Sequence, residues 1–329
     1  MLKKTIYIAF SIFAFAGTMW AEEYSFTTER TFEIQGRPDL VLRNPDGVIQ
    51  ITPREGSTVE IKITRQVHGA KSEEEAKKVA NERILLELEQ SGNQVRAITR
   101  WPSHGIQIGW RPQVTVRYEV WTPAASNVRA EVSDGELYAS GLEGELELDT
   151  ADGEIQGNDL SGNLRISCAD GEIHLKKCSG TMEIHLSDGD LRAENCSGRV
   201  RIESGDGNIE LPGFDGEIEV SNGDGEVLID GILKGMNGKI GDGDMVIKVA
   251  PGSVMQNAWS LRSGDGEILL DLPEDFSADL EVSTGDGHVE TDHPVNVVGS
   301  LSSRKLTGKI RDGGFLLQIK SGDGNIAIK

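Results

Sequence analysis

The dipeptide Asp-Gly recurs every 18 residues through the middle of the chain, at Asp134, Asp152, Asp170, Asp188, Asp206, Asp224 and Asp242. A further glycine stands halfway through each of the first five intervals, at Gly144, Gly162, Gly180, Gly198 and Gly216. A fixed period of this size belongs to a solenoid, in which each repeat buries its apolar side only by stacking on the next. The chain is rich in glycine (40 of 329 residues) and poor in aromatics (5%), which suits a narrow stack of strands and tight turns better than a wide aromatic core.

Strand side chains alternate between faces, so the repeat predicts its own interior. One inward column is Leu137, Ile155, Ile173, Leu191, Ile209, Val227 and Met245. A second is Leu146, Leu164, Met182, Val200 and Ile218, and a third is Leu148, Ile166, Ile184, Ile202 and Val220. A fourth holds Leu142, Leu160, Cys178, Cys196, Phe214 and Ile232. Each coil then offers two short strands across a thin apolar interior, with Gly135, Gly153, Gly171, Gly189, Gly207, Gly225 and Gly243 at turns that need a positive φ. The expected fold is all-β: a parallel, single-stranded β-solenoid of about 18 residues per coil. At a strand spacing of about 4.8 Å the seven regular turns would rise about 29 Å.

The domain plan follows from where that regularity begins and loosens. Residues 1–21 read as an export signal: Lys3 and Lys4, an apolar run from Ile6 to Phe15, then small residues. Cleavage after Ala21 or after Ala16 both fit. Residues 22–127 read as a β-rich segment that caps the solenoid. Within it Ser72 and Glu75 announce a helix over Glu73 to about Arg83, and Ser91-Gly92-Asn93 joins a hairpin. Residues 128–329 are the solenoid. After Gly243 the spacing widens to Asp265-Gly266, Asp286-Gly287 and Asp323-Gly324, so Pro273–Phe276 and His293–Lys305 read as loops or larger coils. The chain stops on a strand-like Asn325–Lys329, and no late segment stands out as a cap for the last coil.

The net charge is −21, and loss of Lys3 and Lys4 takes it to −23. Such a surface repels nucleic acid and anionic lipid and favours cations or basic partners. No later segment could cross a bilayer as a helix, so no stable membrane span is expected once the signal is removed. Cys178 and Cys196 sit in one column on adjacent coils, within disulfide reach, and read as two stacked apolar thiols.

The seven-membered Asp column, Asp134 to Asp242, is the sharpest chemical feature. Carboxylates spaced about 4.8 Å apart repel by about 0.9 kcal/mol per pair in water. Calcium bridging between coils would offset this, although the Gly-Gly-x-Gly-x-Asp motif of calcium-binding rolls is missing. The competing reading is an Asx-type turn, each carboxylate accepting its own downstream N–H groups. Calcium is the one cofactor the pattern suggests. A second outward column, Glu147, Arg165, Glu183, Arg201 and Glu219, alternates in sign and reads as a structural ladder of ion pairs. His104, His174, His185, His288 and His293 show no nucleophile-and-base pattern, and no phosphate loop is present, so an enzyme is not expected. Trp101, Trp110 and Trp121, near Arg100, Arg111 and Arg117, either seal the solenoid's start or offer a stacking loop for sugars or a partner.

The run from Val114 to Pro123, then Val128 to Val132, Asp134-Gly135-Glu136-Leu137, Leu142 and Gly144, resembles the bacterial exported family labelled "putative adhesin", a domain of unknown function. So do the Ser-Gly-Asp-Gly turns at Ser204, Ser263 and Ser321. The resemblance covers about residues 30–329. It implies a β-solenoid of the cell envelope and brings no catalytic residue with it. Together these readings predict an exported, non-catalytic protein of the periplasm or cell surface. Its expected partner is a protein or glycan of the envelope, with a role as adhesin or interaction scaffold. The alternatives are a periplasmic structural or stress-related scaffold that binds another protein, and a calcium-stapled binding roll.

Overall fold

The computed structural model describes residues 23–101 and 112–329. The export signal, His104, Trp110 and Arg111 lie outside the described residues. The chain divides into two compact units, one ending at Ile155 and one beginning at Gln156, and each is described by itself. No helix among the described residues is long and apolar enough to cross a membrane.

The first unit contains β1 (Glu23–Glu33), β2 (Asp39–Pro53), β3 (Thr58–His68), α1 (Glu73–Arg83), β4 (Leu85–Ser91), β5 (Gln94–Arg100), β6 (Gln113–Thr122), β7 (Asn127–Ser140) and the greater part of β8 (Glu143–Asn158). Its centre is β2. On one side β2 pairs in parallel with β5 and then with β6; on the other it pairs in parallel with β7. Asp46-Gly47 lies in register on Asp134-Gly135. In-register stacking therefore starts 88 residues before the regular period does, because the residues between Gly47 and Asp134 leave the stack and return. Those residues build the cap. β3 runs antiparallel to β6, β1 antiparallel to β3, and β4 antiparallel to β5.

The helix covers the span its sequence announced. Ser72 caps it, its hydroxyl accepting the Glu75 N–H at 3.2 Å, and Glu73, Glu74 and Glu75 complement the positive end of the dipole. The Glu75 carboxylate accepts from the Lys71 N–H at 2.7 Å, one residue earlier than a strict capping box. Only Ala76 and Ala80, four apart, are buried, so the helix rests a narrow stripe on the sheet.

The second unit begins with long strands: β9 (Ser161–Lys176), β10 (Ser179–Glu194), β11 (Ser197–Asp206), β12 (Ile209–Asp224) and β13 (Val227–Asp242). They pair in parallel, each residue opposite the one 18 further on. The inward columns are buried as the alternation requires, from Ile173 to Met245 in the first and from Leu164 to Ile218 in the second, none more than 3% exposed. In β9 and β10 the two arms of a coil are joined without interruption through the Asp-Gly bend. The breaks fall at a different corner, where Asp159, Lys177 and Asn195 adopt left-handed backbone with φ near 53°. Gly213 continues that column at φ 70°. The corner has the same 18-residue period as the bends, but four different residue types occupy it, so composition hides it.

The fourth column departs from strict spacing. Between β12 and β13 the register slips, placing Phe214 opposite Gly231 rather than opposite Ile232. Gly213 supplies the extra residue. Ile232 is consequently only half-buried, and Leu233 is fully buried in its place.

The end of this unit differs most from a sequential stack. After β14 (Met245–Val249), which stacks on β13, three further coils are formed by β15 (Trp259–Ser263) with β16 (Ile268–Asp271), by β17 (Ala278–Thr284) with β18 (Val289–Thr291), and by β21 (Leu316–Ser321) with β22 (Ile326–Ile328). Both strands of the latest coil lie between the two earlier ones. β21 pairs with β15 on one side and β17 on the other, and β22 pairs with β16 and β18. The intervening chain is not loop. It forms β19 (Val295–Ser302) and β20 (Lys305–Ile310), with β20 antiparallel to β17 and β19 antiparallel to β20. This antiparallel pair is the cover that the sequence did not announce. Phe276, in the expected loop Pro273–Phe276, is 4% exposed and packs on Trp259 with ring centroids 5.4 Å apart.

Candidate functional site

The bends place the Asp column on the surface. Asp134, Asp152, Asp170, Asp188, Asp206, Asp224 and Asp242 are all exposed. Asp46 extends the column by register, and burial followed by the charge of Asp134 pushes its carboxyl above the ordinary range. Among the described residues no three His, Cys, Asp or Glu side chains converge as a metal site. Each coil supplies one carboxylate to the column, and calcium wants six to eight oxygens around one point.

The residue two before the Asp holds the later turns. Ser263 accepts the Gly266 N–H at 3.0 Å, Thr284 the Gly287 N–H at 3.1 Å, and Ser321 the Gly324 N–H at 2.9 Å. The Thr284 hydroxyl also donates to the Gly324 carbonyl of the adjacent coil at 2.8 Å. Asn222 donates to the carbonyls of Gly207 and Asp224, both at 3.0 Å. Two residues after the Asp, short side chains reach to the next coil. Asp190 accepts the Asn208 N–H at 2.8 Å, and Asp244 accepts the Glu267 N–H at 2.8 Å. The mixture of Asp and Asn with Glu at that position is the sequence signal for this role.

The alternating ladder forms pairs as expected. Arg129 meets Glu147 at 2.6 Å in the first unit. In the second unit Arg165 meets Glu183 at 2.7 Å and Arg201 meets Glu219 at 2.9 Å. Arg165, and after it His185, hold the Glu183 carboxyl below the ordinary range. Arg199 with Glu217, and Arg192 with Glu194 and Glu210, form parallel ladders that period alone did not single out. All are solvent-exposed pairs, which add little to stability. Their effect is on register, since a slipped coil would set like charges opposite each other.

The histidines join these ladders. His185 lies 3.3 Å from both Glu183 and Glu203, and His174 lies 3.0 Å from Glu172. His293 faces the backbone carbonyls of Leu272 and Lys329. Cys168, Cys178 and Cys196 are buried free thiols. The Cys178–Cys196 contact, ahead of burial, raises the Cys196 thiol and lowers that of Cys178. Trp101 is partly exposed and Trp121 half-buried in β6. A groove of about 1060 Å³ lies open along the outer face of the second unit's strands, with Arg201, Glu219, Asn237, Lys239, Ser260 and Arg262 in its lining.

Residues 38–329, which begin one position before β2, match the family Toastrack DUF4097. The chain belongs to this family. The Toastrack match takes in β2 and the cap strands as well as the regular coils, in keeping with the stacking of Asp46-Gly47 on Asp134-Gly135. No curated protein matches the chain. Three solved structures are similar in fold at low identity. One, described as a "putative cell adhesion protein", is from Clostridium sporogenes ATCC 15579: 11% identity, 92% of this chain and 99% of that chain covered, TM-score 0.24. Another, a "putative adhesin" from Bacteroides fragilis NCTC 9343, has 11% identity, 92% and 97% coverage, and TM-score 0.32. A third, also a "putative adhesin", from Parabacteroides distasonis ATCC 8503, has 9% identity, 92% and 97% coverage, and TM-score 0.36. Scores this low carry no functional argument.

Proposed function

We propose that this Toastrack protein is an exported, non-catalytic component of the cell envelope or surface that uses its β-solenoid as an interaction scaffold or adhesin. The observation that carries this reading is the character of the outer face. Many of its ionisable groups form coil-to-coil pairs such as Arg165–Glu183 and Arg201–Glu219, and His185 stands in the same ladders. A nucleophile, a base and an orienting group converging on one cleft would argue for an enzyme, and nothing in these ladders has that form. A regular, rigid face repeated at the strand spacing is suited to binding an extended partner along its length. The export signal expected at residues 1–21 supplies the route to the envelope.

Epitope labelling of intact and then permeabilised cells tests the proposal. Signal on intact cells supports a surface adhesin. Signal only after permeabilisation sinks the adhesin form and leaves a periplasmic scaffold. Retention in the cytoplasm overturns the reading altogether.

A further inference from the structure

The sign alternation that organises the outer face stops abruptly at one row. Lys239 on β13 lies opposite Arg262 on β15, Arg262 opposite Lys320 on β21, Lys320 opposite Ser283 on β17, and Ser283 opposite Lys305 on β20. Four cations thus occupy five successive positions across five adjacent strands, in a chain of net charge −21. At about 4.8 Å per strand the row extends about 19 Å. Strand alternation points all five outward, between the buried residues Ile240, Leu261, Ile319, Val282 and Leu306. None of the four cations forms an ion pair among the described residues; Arg262 makes one long hydrogen bond, to Gln318 at 3.4 Å. Asp265 and Asp323, three residues beyond Arg262 and Lys320, do not pair with them. In the other direction the row continues through Ser221 to Glu203, which Arg201 already engages at 2.7 Å.

Like charges placed directly opposite each other across strands are destabilising. Elsewhere on this sheet an acid interrupts the cations at the next coil, so the row is a local departure from the molecule's own rule. An anionic ligand would relieve the repulsion. Beside the cations runs a second outward row, Asn237, Ser260, Gln318, Glu281 and Thr307, four of its five members neutral hydrogen-bonding side chains. Glu281, the one acid in it, accepts from Gln318 at 3.3 Å. Asn237, Lys239, Ser260 and Arg262 also line the open groove of about 1060 Å³.

We infer that this paired row is a binding track for a linear acidic polysaccharide, the cations meeting its carboxylates and the amide and hydroxyl row meeting its sugar hydroxyls. The inference rests on the envelope-scaffold reading and gives that scaffold its ligand class. Single-stranded nucleic acid wants aromatic platforms for its bases, and the groove has no aromatic side chain in its lining. A membrane surface wants apolar side chains that enter the headgroup region, and both rows are polar throughout.

The test is equilibrium binding of the full exported chain to polygalacturonate, with neutral dextran and phosphatidylglycerol vesicles as parallel probes, each at low and high salt. The expected result is saturable, salt-sensitive binding to polygalacturonate alone. Changing Lys239→Gln, Arg262→Gln, Lys320→Gln and Lys305→Gln together is expected to weaken it at least tenfold without lowering the melting temperature, because the four side chains reach outward and repel one another. Changing Glu172→Gln, outside both rows and the groove lining, is expected to leave binding intact. Equal binding to dextran, preference for vesicles, no binding to polygalacturonate at low salt, or full binding by the fourfold variant would each overturn the inference. Retention of the wild-type chain on isolated envelope fragments, measured alongside, separates the two levels. A chain held by envelope fragments but indifferent to polygalacturonate sinks only the track, whereas a chain held by neither sinks the scaffold reading as well.

Discussion

Gly189 shows what holds the repeat in register at the scale of one residue. Its φ is 143°, and a Cβ built there would run into the carbonyl oxygen of Gly171 on the adjacent coil. Backbone approaches backbone so closely at the bend that only glycine fits. Gly189→Ala is expected to cost about 1–3 kcal/mol, read from urea denaturation; an unchanged midpoint would show that the bend relaxes freely. The left-handed corner makes the opposite prediction. Lys177 holds φ 54°, which costs an ordinary L-residue about 1–2 kcal/mol. Lys177→Gly should therefore stabilise the chain, the gain trimmed by glycine's freedom when unfolded, and a lower melting temperature would refute this. Asp46 adds a pH signature. Its folded pKa is raised, first by burial and then by Asp134, so the folded state takes up its proton more readily than the unfolded chain. Ionised Asp46 thus opposes folding above the ordinary carboxylate range and ceases to do so as pH falls below it. Asp46→Asn should raise the melting temperature at pH 7 and lose that advantage near pH 3, and an equal gain at both would assign the effect to something other than charge. The bends were legible because one dipeptide marks each of them. The corner was not, since Asp159, Lys177 and Asn195 share a conformation and no chemistry.

At the scale of elements, local signals again proved sound and long-range connections did not. Ser72 with Glu75 located α1, and Ser91-Gly92-Asn93 located the β4–β5 hairpin, because a cap and a turn are decided within a few residues. The period also identified the buried columns. It could not show that β21–β22 lies between two earlier coils, because strand order depends on contacts between segments distant in sequence. His293–Lys305 read as a loop for a related reason: Pro294 and Gly299 punctuate a segment that is nonetheless an antiparallel strand pair. Ending the chain after Arg311 would remove β21 and β22 and leave β15, β16, β17 and β18 each without a neighbour on one side. That variant is expected to aggregate or to lose protection from proteolysis across residues 259–310, as unpaired strand edges do. A truncated chain with native protection there would mean that the two flanking coils can close on each other.

At the scale of the whole molecule, self-repulsion works against the fold. A net charge of −21 and a surface column of carboxylates both oppose compaction. Screening should relieve this, so sodium chloride is expected to raise the melting temperature through the first few hundred millimolar. A chelator is expected to leave it unchanged, because the column presents single carboxylates and no converging site among the described residues. A drop on chelation would restore the calcium-stapled reading, since a cation bound only by the folded state stabilises it by mass action. Net charge could be read from composition. The basic row Lys239–Arg262–Lys320–Lys305 could not, because its members belong to strands brought together by the out-of-order coil.

That coil also sets a timetable. A chain is made N-terminus first, so the early coils can assemble while the rest is still to come. The far end cannot. The slot between the coil of β15–β16 and the coil of β17–β18 stays open until Leu316–Ile328 arrives, a segment made after both of its neighbours. A message cut short, or a polypeptide stalled in its translocation channel, would leave that slot unfilled and its bare edges open to degradation. The order of strands thus makes closure of this slot wait on a segment made after both of its walls.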